Sequence, residues 1–150
     1  MHTITRNTTM VQTIVRIIIG IFLCSVGIGH LTFMRTEFLA QVPNWVPMKA
    51  DTVVLLSGVV EITLGLALVF LIKYRTAIGW IVASFLVAVF PGNIAQLVNL
   101  KYAFGLNSQL LLWFRLPFQP VLIALVFWST GAWREWRGKI KNNQLVQSRT

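Results

Sequence analysis

Six polar side chains carry the chemical possibilities of this chain: His30, Glu61, Asn93, Gln96, Arg115 and Gln119. A carboxylate and an imidazole can take up or release a proton, a guanidinium can hold an anion, and the amides can both donate and accept. Glu61 is the most telling of them. It lies inside the run LSGVVEITLGLAL at 56–68, in a chain with only four acidic residues. Apart from glycine and small hydroxyl residues, everything around it is aliphatic.

Composition explains why that position is costly. Of 150 residues, 56% are hydrophobic and 11% charged, and the mean hydropathy is +0.72. A soluble domain carries about 25% charged residues. Apolar stretches recur at the length of roughly 20 residues that one bilayer crossing needs. The chain therefore reads as an all-α integral membrane protein, with spans at about 11–31, 52–72, 77–98 and 110–128. β-barrel strands are excluded, because they alternate apolar and polar residues in pieces of about ten. The expected architecture is a single-domain bundle of four transmembrane helices over 1–150, with only the tight turn KYRT between the second and third spans.

The net charge of +9 does not imply nucleic acid, because the basic residues cluster at span ends. Arg6, Arg16, Lys73, Arg75, Arg134, Arg137, Lys139, Lys141 and Arg149 fall on one side; Arg35, Lys49 and Lys101 fall on the other. Positive charge accumulates on the cytoplasmic face, so both termini are expected inside, in a bacterial inner membrane. The basic tail 134–150 should lie on anionic lipid, each Lys or Arg adding about 1 kcal/mol of attraction. The outer loop 33–49 contains Trp45, Pro43 and Pro47. It is expected to form a short amphipathic helix and an extended turn, either packed at the interface or serving as a lid.

Depth and helical phase bring the polar residues together. At a rise of 1.5 Å per residue, Glu61 lies about 15 Å and Arg115 about 12 Å below the outer ends of their spans. His30 closes the first span at its outer edge, and Asn93 and Gln96 occupy the outer part of the third. Gly58, Glu61 and Gly65 share one stripe, and Gly20, Cys24 and Gly27 form a second on the first span. Small residues mark close helix contacts in membranes, so Glu61 should face the bundle. An unpaired charge at mid-bilayer costs at least about 2.5–3.5 kcal/mol on insertion scales. Arg115, at comparable depth, is the expected partner of Glu61, either as a structural lock or as the floor of an outward-facing pocket. Pro91 and Pro117 each remove an amide donor at that depth, and such breaks are tolerated beside a cavity.

The motifs GIGHLTF, SGVVEITLGLAL, VFPGNIAQ and WFRLPFQP, in this order, resemble the DoxX-like family of small four-helix bacterial membrane proteins. Carried over by position, the family's polar residues fall on His30, Glu61, Asn93, Arg115 and Gln119. The family takes its name from the small subunit of a thiosulfate:quinone oxidoreductase, and other members are associated with quinone or oxidative-stress metabolism. Eukaryotic relatives include an endoplasmic-reticulum chaperone for ion-channel receptors.

Redox chemistry without help is excluded by what the sequence lacks. Cys24 is the single cysteine, so it forms no dithiol pair and is expected to pack as a small apolar residue. There is no second intramembrane histidine for haem, no Cys/His cluster for a metal and no dinucleotide fingerprint. No metal and no covalently bound cofactor are expected. The first reading is a quinone-associated redox protein or oxidoreductase subunit that works with a redox partner. The alternatives are a protein that binds or transports a small lipophilic ligand or lipid, as a homodimer if it transports, and a membrane chaperone or assembly factor without catalysis.

Overall fold

The computed structural model describes residues 8–99, Leu110, Trp113 and 116–147, except the side chains at 142, 145 and 146. Every regular element among them is helical: α1 (Met10–Leu31), α2 (Arg35–Leu39), α3 (Ala50–Phe70), α4 (Arg75–Val98), α5 (Phe118–Thr130) and α6 (Ala132–Gln147). A 3-10 turn, Ile72–Tyr74, joins α3 to α4. Among the described residues, three stretches are long and apolar enough to cross a membrane: α1, α3, and the 3-10 turn with α4.

Local sequence starts and stops these helices. Thr9 caps α1, and Gln12 completes a capping box by returning its side chain to the Thr9 amide at 3.0 Å. Such a cap contributes about 1 kcal/mol. Gly131, at φ 78°, takes the left-handed turn between α5 and α6, a conformation glycine adopts without steric cost. Pro117 serves as the N-cap of α5, where its fixed φ favours helix entry.

The tightest packing joins α1 to α3. A Cβ on Gly20 would lie 2.8 Å from the Gly65 carbonyl, and one on Gly27 would lie 2.6 Å from that of Gly58. Both glycine stripes expected from helical phase therefore meet, antiparallel, backbone against backbone. Ile19, Leu23, Leu64, Leu68, Ile78, Val82, Leu86 and Val126 form the apolar core, drawn from α1, α3, α4 and α5. Many apolar side chains point away from it, among them Ile18, Ile21, Val59, Leu66, Phe70 and Val87. Outward apolar faces of this extent suit contact with lipid.

One feature differs from the sequence reading. α4 runs without interruption through Pro91, where a break was expected. Of the expected fourth span, 110–128, the described residues are Leu110 and Trp113, both helical, a turn at 116–117, and α5, 13 residues long. Much of the stretch before it, including Arg115, lies outside the described residues.

Candidate functional site

The C-terminal end of α1 and the middle of α3 bring together two of the predicted residues. His30, in the last turn of α1, and Glu61, in the middle of α3, are both 7% exposed. His30 Nδ1 lies 2.7 Å from Glu61 Oε2. The contact is at ion-pair distance without the alignment of a hydrogen bond, and among the described residues neither atom has a hydrogen-bond partner. The expected pairing of Glu61 with Arg115 involves a residue outside those described. Among the described residues, Glu61 faces His30.

Helix geometry explains that contact across different depths. Side chains lean toward the N-terminus of their own helix. His30, near the C-terminal end of α1, leans inward, and Glu61 on the antiparallel α3 leans outward. The Gly27–Gly58 approach lets them meet: a Cβ on Gly58 would stand 2.7 Å from His30 Cβ, and one on Gly27 would stand 3.1 Å from Glu61 Cβ.

A second polar unit lies across from the first. Gln119 in α5 accepts from Asn93 Nδ2 and donates through Nε2 to the Leu86 carbonyl at 2.5 Å. Its two partners flank Pro91, so one side chain grips α4 on both sides of the proline. This grip gives a reason for α4 to remain continuous. Gln96, one turn beyond Asn93, is buried but does not line the cavity described next.

His30, Glu61, Asn93 and Gln119 share the wall of a cavity of about 900 Å³. The rest of its lining is mostly apolar, with Phe22, Val26, Val89 and Leu122 among the contributors. Such a volume falls within the roughly 300–1,000 Å³ of small-molecule sites, which are typically apolar with a few placed polar groups.

The loop 33–49 covers this cavity. Phe38 of α2 is buried and sets its ring edge-on to His30, with centroids 3.6 Å apart. Phe38, Val42, Trp45 and Val46 all face the cavity. The loop also rests on α4, where a Cβ on Gly92 would stand 2.7 Å from the Gln41 carbonyl. Arg35 joins α2 to the start of α3 through two hydrogen bonds to Asp51, one from Nε at 2.6 Å and one from Nη2. These bonds hold the Arg35 pKa above its ordinary value. The expected short helix is present, and it overlies the polar pair.

A family model described as a domain of unknown function (DUF8561) matches residues 19–130. The chain belongs to this family. No curated protein and no solved structure matches it. The matched stretch contains all six candidate residues and ends where α5 ends, before the basic helix α6.

The structure also buries polar residues that the sequence reading passed over. Arg16 counts there only as an inner-side charge, yet it is 2% exposed. Its Nη1 donates to the Val69 carbonyl near the end of α3 at 3.3 Å. Gln12 is 1% exposed and donates through Nε2 to the Trp128 carbonyl at 2.7 Å. The signal was available in the spacing. Gln12, Arg16, Gly20 and Cys24 follow at steps of four, so the small-residue stripe of α1 continues into two polar side chains.

Proposed function

We propose that this chain is an integral membrane protein that binds a lipophilic molecule with a polar head, a quinone in the first instance, in the cavity beside His30 and Glu61. The observation that carries this reading is the buried His30–Glu61 contact in the wall of a largely apolar space of about 900 Å³. A quinone pairs an apolar tail with two carbonyl acceptors. The residues fit it: His30 Nδ1 and Glu61 Oε2 are buried without an aligned partner among the described residues, and the Asn93 amide lies on the same wall.

When bound, a quinone supplies two-electron chemistry, with electrons from a partner redox subunit. The chain's own part is to bind, orient and move protons. His30 and Glu61 are each able to carry a proton and pass it to an oxygen at the cavity wall. Asn93, fixed by Gln119, offers an amide donor to a second oxygen. Phe38 shields the pair, and α2 closes the site.

The bilayer placement belongs to the same proposal. The four helices that share the core form a four-helix membrane bundle, with the Arg16–Lys73–Arg75 end and α6 on the cytoplasmic side and α2 outside. The resemblance of its motifs to the DoxX-like family supports this architecture and the association with quinones.

The test is what accompanies the protein from the membrane. Purified in a mild detergent and extracted into organic solvent, it should yield a quinone or one defined lipid at near one per chain, detected by mass spectrometry. The Glu61→Gln variant should yield much less. A co-purifying membrane protein with no small molecule would remove this reading in favour of a chaperone or assembly factor.

A further inference from the structure

The His30–Glu61 contact leaves a hydrogen-bonding need unmet. Nδ1 and Oε2 are closed off from solvent, and among the described residues neither has an aligned partner. A carboxyl oxygen accepts hydrogen bonds in either protonation state. A neutral imidazole with its hydrogen on Nε2 presents a second acceptor at Nδ1. An acceptor buried without a donor is costly, so the favoured occupant of the site is one that brings a donor. Both residues line the cavity. The terminal torsion of a glutamate is soft, so a small turn of the carboxyl presents an oxygen to a molecule held there.

The second polar unit of the cavity wall is not selective in this way. The Leu86 carbonyl can only accept, so Gln119 turns Nε2 to it at 2.5 Å and keeps its side-chain oxygen for Asn93 Nδ2. That order fixes which way the Asn93 amide points. Among the described residues it retains one Nδ2 hydrogen and its Oδ1, a donor and an acceptor. Asn93 can therefore meet a carbonyl or a hydroxyl equally, and selection between them falls to Glu61 and His30.

We propose that the cavity holds the reduced, hydroxyl-bearing form of its ligand more tightly than the oxidised form, with one hydroxyl donating to Glu61 or to His30 Nδ1. This rests on the reading that the cavity takes a quinone-like molecule. Two electrons and two protons turn both quinone carbonyls, whose oxygens only accept, into hydroxyls, which also donate. A hydroxyl supplies the donor that the buried pair lacks, whereas a carbonyl supplies none. Tighter binding of the reduced form makes the bound molecule easier to reduce than the free one. For a two-electron couple, each ten-fold difference in affinity raises the potential by about 30 mV. Glu61 and His30 would thus bias the couple that a partner subunit feeds.

Three probes with the same ring and the same decyl chain test the preference: a para-benzoquinone, its hydroquinone, and the dimethyl ether of that hydroquinone. Binding to the full-length protein in mild detergent is measured without oxygen, against protein-free micelles. The hydroquinone should bind about ten-fold or more tighter than the quinone and the ether, the scale of one buried hydrogen bond left unmade. Glu61→Gln, whose amide both donates and accepts, should bring the hydroquinone and quinone affinities together. Asn93→Ala should weaken both and leave their ratio in place.

Quinone held as tightly as the hydroquinone, or more tightly, would overturn the preference and leave the ligand itself in place. An ether that matches the hydroquinone would do the same, because it donates nothing. Binding of none of the three probes would remove the preference and the ligand together. Should folded Glu61→Gln, checked by circular dichroism, keep the full ten-fold ratio, Glu61 does not select the reduced form. The comparison among probes needs only the unaltered protein, so a variant that fails to fold leaves the outcome readable.

Discussion

Gln119 holds Asn93 on one side of Pro91 and the Leu86 carbonyl on the other. A proline inside a helix removes one backbone hydrogen bond and pushes against the preceding turn, at about 3 kcal/mol or more. Here a single buried side chain from α5 ties the two turns together. The same grip aims the Asn93 amide at the cavity, so helix continuity and site geometry depend on one residue.

Removing that grip should therefore cost stability and geometry together. Gln119→Leu removes both hydrogen bonds, and each contributes about 0.5–1.5 kcal/mol. A lowered thermal midpoint in detergent is expected. In a double-mutant cycle, Asn93→Ala and Gln119→Ala should couple by about 0.5–3 kcal/mol. Additive losses would mean that the two residues do not act as a unit.

Glu61 should matter to the ligand more than to the fold. Glu61→Gln keeps the shape of the side chain and removes its charge, leaving the α1–α3 glycine contacts intact. Ligand retention should fall about ten- to a hundred-fold, as for loss of a hydrogen bond to a charged group, with little change in midpoint. Loss of folding with no separable effect on retention would make the pair a structural lock.

The site was partly legible in the sequence. The phase of Gly58, Glu61 and Gly65 placed the carboxylate on the face that α3 turns to α1, and the structure brings these stripes together. Its contact with His30 was not legible. Counting residues gives the depth of a Cα, but the lean of a side chain toward its own N-terminus acts in opposite directions on antiparallel helices. His30 and Glu61 thus meet from levels that residue counting keeps apart. Arg16 was overlooked for a different reason. A basic residue near a span end satisfies the topology rule without revealing that it lies on the buried stripe. The continuity of α4 through Pro91 depends on a residue in another helix, which local sequence does not encode.

Two glycines should respond in opposite ways to the same change. Gly58→Ala places a methyl group 2.7 Å from His30 Cβ and 2.9 Å from the Gly27 carbonyl. Backbone cannot yield cheaply there, and a loss of about 1–3 kcal/mol is expected, with displacement of His30. Gly138, in exposed α6, has nothing within 4 Å of the added methyl. Gly138→Ala should strengthen that helix by about 0.8–1 kcal/mol. Thermal midpoints of the two variants, measured side by side, check the contrast.

The covering helix α2 should open more readily than the rest of the molecule. Five residues are too few to hold a helix by themselves, so its place depends on tertiary contacts, among them Phe38 against His30 and the Arg35–Asp51 pair. That pair is exposed, and exposed pairs contribute little to global stability. Asp51→Asn should therefore leave the thermal midpoint unchanged while hydrogen exchange speeds up at the Phe38 and Ala40 amides, which bond to Met34 and Glu37. Phe38→Ala should produce a larger increase, because it also removes the ring that packs on His30. Exchange within α1 and α3 should stay as it was. If the cavity holds its ligand beneath α2, dissociation should accelerate in the same order, Phe38→Ala before Asp51→Asn. Unchanged exchange in both variants would show that α2 is fixed by other contacts and does not gate the cavity.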